Sequence, residues 1–129
     1  MTSSEISVSM GEFSISFTAE QYGSDALIKT TARSSSFSGT GTLDVSSGII
    51  EKFASDLEIL YDNLCGKARL CETFGEQYVE FEGDGKGRVS VRGLLIGYSA
   101  DGYMSEQRLA FESVIDQTVL PYLCKEFSE

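Results

Sequence analysis

The sequence predicts an α+β domain in which antiparallel β-strands are covered by two helices. Apolar and polar residues alternate with a period of two in the first third of the chain, a helical period then replaces this pattern, and both patterns recur in the second half. The predicted order is β-β-β-β-α-β-β-β-β-α, in one sheet or two sheet halves with the helices on one face. The length of 129 residues suits one domain, so we expect residues 1–129 to fold as a single α+β unit.

The first four strands are predicted by short alternating runs. Residues 6–10 and 13–17 alternate large apolar side chains with serines, and Gly11 lies between the two runs. A polar loop follows, and residues 26–33 and 36–43 are predicted as two further strands, because their threonines suit a strand surface. Glycines cluster at 39–41, 83–87 and 93–102, which indicates local breaks in regular structure within one domain.

An amphipathic helix of about four turns is predicted next. Its apolar residues recur at helical spacing and are Ile49, Phe53, Leu57, Leu60 and Leu64. Asp44, Ser46 and Ser47 are candidate N-caps, and Gly66 is expected to end the helix.

Strands are predicted again after Gly66. The segment 83–87, Gly-Asp-Gly-Lys-Gly, predicts a hairpin turn, because Asp-Gly tolerates the positive φ angles that a tight turn needs. Residues 107–115 are predicted as a strand and 118–127 as a helix, since Pro121 disrupts a helix interior but fits a first turn. One continuous helix over 104–127 is the alternative interpretation.

The charge balance limits the classes of partner. The formal net charge is −10, from 20 acidic and 10 basic residues, so nucleic acid and anionic membranes should be repelled and a basic protein attracted. Solubility alone could also explain the acidity. The chain has no apolar run of the roughly 20 residues that span a membrane, and its N-terminus does not resemble a signal peptide. We therefore expect a cytoplasmic protein.

The residue types present offer little for catalysis. The absence of histidine removes Ser-His-Asp and Cys-His pairs and most zinc sites. The three cysteines lack zinc or redox spacing and are expected to be buried, reduced thiols. We predict no catalytic residue, no metal and no cofactor. Glu80, Glu82 and Glu112 could form a paired-acid site, but alternation places them among basic residues on an outer sheet face, which favours surface ion pairs.

Two features indicate a binding surface instead. On the predicted middle helix, Glu51, Glu58 and Asp62 fall on one polar face, which would present a line of acids to a basic partner. Tyr98 and Tyr103 lie in a segment rich in small and turn-forming residues, where tyrosines often act as contact residues. The alternatives are a solvated helix face and tyrosines packed at the edge of the core.

The order of elements resembles a bacterial family of WapI-type immunity proteins and related domains of unknown function. The resemblance rests on the helix segment 49–57, IIEKFASDL, followed by a β-meander, and on the ending from 109–112, LAFE, through 116–121, DQTVLP. It implies a protein that binds and neutralises a cognate toxin, and it transfers no catalytic residue.

The leading hypothesis is a non-enzymatic binding protein whose partner is a basic protein such as a toxin. A hydrolase that uses the sheet carboxylates is the alternative from another class. A structural domain that forms homo-oligomers through exposed sheet edges is the third. The neighbouring reading frame would separate the first from the others, because immunity proteins are encoded beside toxins, whereas the sequence itself leaves the oligomeric state open.

Overall fold

The computed structural model describes residues 4–98 and 105–128, over which the chain forms eight strands and two α-helices. The first half contains β1 (Ser4–Met10), β2 (Phe13–Tyr22), β3 (Asp25–Ser34), β4 (Phe37–Ser46) and α1 (Ser47–Asn63). The second half contains β5 (Cys65–Cys71), β6 (Tyr78–Asp84), β7 (Arg88–Tyr98), β8 (Glu106–Asp116), a 3-10 turn (Gln117–Val119) and α2 (Leu120–Ser128). The predicted α+β class and the predicted element order are confirmed.

The strands form two separate antiparallel sheets of four. The first sheet has the order β1-β2-β3-β4 and the second has the order β5-β6-β7-β8, so every neighbour in a sheet is also the neighbour in sequence. Short hairpins suffice for such a meander. The turn between β6 and β7 forms as predicted: Asp84 Oδ1 accepts hydrogen bonds from the backbone N–H groups of Lys86 at 2.7 Å and Arg88 at 3.2 Å. Gly85 and Gly87 adopt positive φ there.

The core lies between the two sheets and the two helices. Phe53 of α1 packs against Phe81 of β6 and Phe127 of α2, with ring centroids 6.0 and 4.9 Å apart. Phe127 also meets Phe17 of β2 edge to face at 5.4 Å. Phenylalanines from both halves of the chain therefore share one hydrophobic core, which is what residues 1–129 would need in order to fold as one domain.

The two sheets touch most closely where β4 crosses β7. A Cβ atom added to Gly41 would collide with the side chain of Gln77 and lie 3.1 Å from the backbone nitrogen of Ile96. A Cβ on Gly39 would lie 2.8 Å from a methyl carbon of Leu109. Gly39 and Gly41 both lie inside β4, where the side chain of Leu109 and the backbone of Ile96, respectively, leave no room for a Cβ atom.

Helix and strand ends differ from the predicted ones by a few residues. Helix α1 ends at Asn63, and Leu64 takes the left-handed conformation at φ 59° and returns its N–H to the carbonyl of Leu60 at 2.7 Å. The prediction that Gly66 ends the helix was wrong, since Gly66 already belongs to β5. Ser46 is the N-cap residue, but its side chain makes no capping hydrogen bond. Asp116 accepts from the N–H of Thr118 at 2.9 Å and caps the terminal helical segment.

The thiols are less uniformly buried than expected. Cys124 is buried in α2, but Cys65 is exposed at the start of β5 and Cys71 is half-buried at the end of the same strand. The expectation of three buried thiols was therefore wrong for Cys65, which follows the left-handed residue Leu64 and is exposed, and for Cys71, which is only half-buried. No helix within the described residues has the length and apolarity that a membrane crossing requires.

Candidate functional site

One face of α1 carries the acids that were predicted to meet a partner. Phe53, Leu57 and Leu60 are fully buried, which fixes the orientation of the helix on the core. Glu51, Glu58 and Asp62 lie on the opposite side and are exposed. We call these three residues the acidic stripe. The helical repeat places its three carboxylates along about three turns of the surface.

The charge of the acidic stripe is not neutralised by the rest of α1. Lys52 is the only basic residue in this helix, and its Nζ binds Asp56 Oδ2 at 2.7 Å. Within residues 4–98 and 105–128, no ion pair includes a member of the acidic stripe. Its negative potential is therefore directed at solvent and at any partner that approaches this face.

Helix α2 packs beside the acidic stripe. Burial raises the pKa of the Cys124 thiol, and the nearby carboxylates of Glu58 and Asp62 raise it further by opposing a second negative charge. The thiol is consequently protonated and unreactive at neutral pH, so it adds no nucleophile to this surface.

A groove of about 690 Å³ opens beside the N-terminal end of the acidic stripe. It lies between the first sheet and the two helices, and its apolar lining is Ile6, Ala19, Ala26, Ile28, Ile50, Ala54 and Phe127. Glu51 of the stripe and Glu126 of α2 stand at this groove, and no lysine or arginine from the described part of the chain lines it. An apolar floor with two carboxylates suits an aliphatic or aromatic side chain that is flanked by basic residues.

The two tyrosines are placed differently from the acidic stripe. Tyr98 ends β7 and is 59% exposed, so it is not packed into the core. The opposite end of β7 approaches the C-terminus of α1, where Gly85 donates its N–H to the Leu64 carbonyl at 2.8 Å. A strand of this length separates Tyr98 from that end by about 30 Å. Tyr98 thus lies at the end of β7 far from the C-terminal end of the stripe, and Tyr103 lies outside the described residues.

The carboxylates considered for catalysis surround one arginine on the outer face of the second sheet. Arg92 Nη1 binds Glu80 Oε2 and Glu82 Oε1, both at 2.8 Å, and Arg92 Nη2 binds Glu112 Oε2 at 3.1 Å. Arg69 approaches Glu80 to 3.6 Å and lies over the ring of Tyr78 at 3.9 Å. Strand register explains the cluster, because Arg69, Glu80, Arg92 and Glu112 are directly opposite one another across four strands.

The electrostatics of this cluster are those of an ion-pair network. The hydrogen bond from Arg92 lowers the pKa of Glu82, and the three carboxylates raise the pKa of the Arg92 guanidinium. A paired-acid mechanism requires one carboxylic acid whose pKa is raised, so that it can donate a proton near neutral pH. The arginine at the centre works against that requirement, and the predicted pattern of opposite charges on neighbouring outer-face positions is confirmed.

Metal-binding side chains are not gathered at either surface. Within the described residues, no three His, Cys, Asp or Glu side chains are arranged to hold an ion. The acidic stripe spreads its carboxylates along a helix, where they cannot converge on one ion. In the cluster around Arg92, the carboxylates are already paired with a guanidinium, which takes the place that a metal ion would need.

Sequence reasoning missed the groove and the contribution of α2 to it. Glu126 and Phe127 are adjacent in sequence, but only the packing of α2 against the first sheet brings them to Glu51. An amphipathic pattern locates the buried side of a helix and not the gap that remains between two packed elements. The one available signal was the row of small residues, Ala19, Ala26 and Ala54, which leave space at the floor of the groove.

Comparison with known proteins identifies the family. The model of the immunity protein WapI-like family matches residues 3–129, nearly the whole chain. The chain therefore belongs to this family. No curated protein matches the chain.

Proposed function

From its place in the WapI-like immunity protein family, we propose that this chain neutralises a cognate toxin by binding it, without catalysing a reaction. The partner is a basic toxin domain, and the contact surface is centred on the acidic stripe and the neighbouring groove. The observation that carries the proposal is the exposed row of Glu51, Glu58 and Asp62, which no ion pair of the described residues includes, on a chain whose net charge is −10.

The acidic stripe would act mainly on the rate of encounter. Exposed charges on a rigid helix steer an oppositely charged partner and raise the association rate constant, while each contributes little to the final affinity. Many toxins that act on nucleic acid are basic, because a phosphate backbone attracts lysine and arginine. An acidic protein surface can occupy the same basic surface on such a toxin and keep its substrate away.

The groove would supply the contacts that hold the complex. Its walls come mostly from β-strands and helices, so they lose little conformational entropy when a partner binds. An apolar side chain of the toxin would remove this surface from water, and adjacent lysines or arginines would meet Glu51 and Glu126. Tyr98, exposed at the end of β7, would add a second, peripheral contact.

The remaining parts of the proposal follow from charge and residue content. A chain with this excess of acids would not bind nucleic acid or anionic membranes directly. We place its action in the cytoplasm, where a toxin directed at intracellular targets must be neutralised. No metal or cofactor enters the proposal.

The direct test is co-expression with the product of the reading frame beside the gene for this chain, which the proposal expects to be a toxin domain. The wild-type chain should restore growth and should co-elute with the toxin domain in gel filtration. The double variant Glu58→Lys/Asp62→Lys should protect less well at equal expression. The matched control is Glu5→Lys/Glu12→Lys, which makes the same charge change on exposed residues of β1 and of the β1–β2 turn.

Two results would overturn the proposal. One is a folded wild-type chain that neither restores growth nor forms a complex with that toxin domain. The other is turnover of a small substrate that is lost in Glu80→Gln or Glu112→Gln, since these residues belong to the carboxylate-enzyme alternative and lie away from the acidic stripe.

A further inference from the structure

The four outer strands of the two sheets are not protected equally. The edge of β1 is capped where the backbone N–H of Ser7 donates to the hydroxyl of Tyr122 at 3.2 Å. The edge of β4 is capped by Gln77, which donates to the Thr42 carbonyl at 2.8 Å, and by Thr73, which binds both Ser46 and Asp44. Strand β5 is short, and α1 packs against it.

Strand β8 is the longest of the four outer strands, and β1 and β4 approach part of it. It has 11 residues and pairs on one side with β7. Within the described part of the chain, no backbone group of Glu106–Ile115 forms a hydrogen bond outside that ladder. A long strand with a row of free N–H and C=O groups is a template for pairing with another strand.

We infer that the free edge of β8 binds the β8 of a second copy of this chain, so that the two second sheets join into one antiparallel sheet of eight strands. The twofold axis passes midway between the Ala110 residues of the two copies, and Ala110 is exposed and small. In this register Arg108 lies opposite the partner copy's Glu112, and the symmetry produces the pair twice. Leu109 lies opposite Phe111 on the other face of the joined sheet.

The charges along β8 select this register over its neighbours. Side chains keep their faces only if the register changes by two residues at a time. A shift that centres the register on Leu109 places Glu106 opposite Glu112 in both symmetric pairs. The opposite shift centres the register on Phe111 and places Glu106 opposite Asp116 in both symmetric pairs. Only the register centred on Ala110 combines two opposite-charge pairs with no like-charge pair, because it aligns Glu106 with Val114.

The contacts within one copy leave these groups available. Glu112 uses Oε2 for Arg92 and is mostly exposed, so its other oxygen can accept from a second copy. Arg108 is held on the outer face by Glu76 at 2.9 Å and Glu106 at 3.0 Å, and its guanidinium has further donors. The side chain is thus already ordered at the free edge before a second copy arrives.

An apolar cleft lies beside the same edge and would be covered by the second copy. The cleft has a volume of about 450 Å³, and residues 108–112 of β8 form one wall. Phe13 and Phe37 contribute to the opposite wall, and Phe37 is 72% exposed. Leu109 and Phe111 of each copy already pack on Gly39 and Phe13 of their own chain, so the second copy would cover the cleft rather than fill it, and would shield Phe37, whose ring is largely in water in the isolated chain.

Sedimentation equilibrium of the wild-type chain and two charge variants tests the inference. Arg108→Glu and Glu112→Arg each convert both symmetric pairs to like charges, so each variant alone should weaken the dimer by about tenfold or more. An equimolar mixture of the two variants restores both opposite-charge pairs in the mixed dimer, and its affinity should return to that of the wild type. The double variant Arg108→Glu/Glu112→Arg should do the same on its own.

The mixture separates pairing from damage to the fold, because two misfolded variants would not repair each other. Thermal melting of each variant gives the independent check on folding. A wild-type chain that remains monomeric up to its highest soluble concentration would overturn the inference. So would a dimer whose affinity is unchanged in both single variants, or a mixture that stays as weak as its components.

Discussion

The side-chain oxygen Oε1 of Gln77 accepts a 2.8 Å hydrogen bond from the backbone N–H of Ile96. The Nε2 group of the same amide donates to the Thr42 carbonyl at 2.8 Å and to Glu72 Oε1 at 3.1 Å. Gln77 therefore joins β4 of the first sheet to β7 of the second with one planar group. It is 7% exposed, so water cannot easily replace these contacts.

Replacing Gln77 with alanine should destabilise the chain by about 1–3 kcal/mol, because the N–H of Ile96 and the carbonyl of Thr42 would lose their partners in a partly buried place. Urea unfolding followed by circular dichroism measures the change. Gln21→Ala removes an exposed amide as a control and should change the stability by less than about 0.5 kcal/mol. Equal losses in the two variants would contradict this role for Gln77.

Gly41→Ala should also be destabilising, because a methyl group there would displace Gln77 and press on the backbone of Ile96. Gly48 offers the matched control. It lies in the first turn of α1, where an added Cβ would have no heavy atom within 4 Å, and alanine favours a helix over glycine. Gly48→Ala should therefore hold or raise the melting temperature, whereas Gly41→Ala should lower it. Similar melting temperatures for both variants would refute the close approach of the sheets.

Acid should weaken the fold through the outer-face carboxylates. The hydrogen bond from Arg92 lowers the pKa of Glu82 below its usual 4.5, and Arg108 does the same for Glu76. A carboxylate with a lowered pKa in the folded state stabilises that state above the unfolded value, and the contribution disappears as pH falls through the folded value. Urea midpoints measured against pH should thus decline below about 4.5.

Glu82→Gln isolates one part of that decline. The variant cannot lose a charge at position 82, so its stability should be lower than that of the wild type at neutral pH and should fall less steeply in acid. Wild-type and variant curves that run parallel over the whole pH range would show that the Arg92 contact with Glu82 does not stabilise the fold.

The three thiols should react at clearly different rates. Cys65 is exposed and should react with a thiol reagent first, while Cys124 should react only on unfolding, since burial and the nearby acids raise its pKa. Cys65 and Cys71 stand at opposite ends of β5, roughly 20 Å apart, which is too far for a disulfide. Titration of the unfolded chain without reductant should therefore count three thiols. A count of one, or a Cys124 that reacts as fast as Cys65, would contradict this account.

The periodicity of the sequence was sufficient to predict the helices and strands and to predict which charged side chains share the outer face of the second sheet. The period-two pattern places Glu80, Glu82 and Arg92 on one face of the second sheet, and the structure confirms that placement. The switch to a helical period located α1, and Pro121 located the start of α2. Local sequence contains this information because side-chain direction alternates with backbone geometry.

Contacts between distant segments could not be predicted in the same way. The bridge by Gln77 depends on how two sheets cross, and no local pattern marks a glutamine in a connecting segment as buried. The groove at Glu51 and Glu126 depends on the gap between α1, α2 and the first sheet. Gly39 and Gly41 were ambiguous, because a glycine in a turn and a glycine under a crossing strand have the same sequence signal.

The central claim is that the acidic stripe of α1 steers a basic toxin domain into a complex. Stopped-flow association of the chain with the toxin domain that we expect from the neighbouring reading frame, measured over a range of ionic strength, tests this claim most directly. The variant Glu58→Lys/Asp62→Lys should associate about tenfold more slowly at low salt, and its rate should depend less on salt than that of the wild type. Glu5→Lys/Glu12→Lys carries the same change in net charge and should stay close to the wild type. Association rates that fall equally in both double variants would show that overall charge, and not the acidic stripe, governs binding, and rates unchanged in Glu58→Lys/Asp62→Lys would contradict the account.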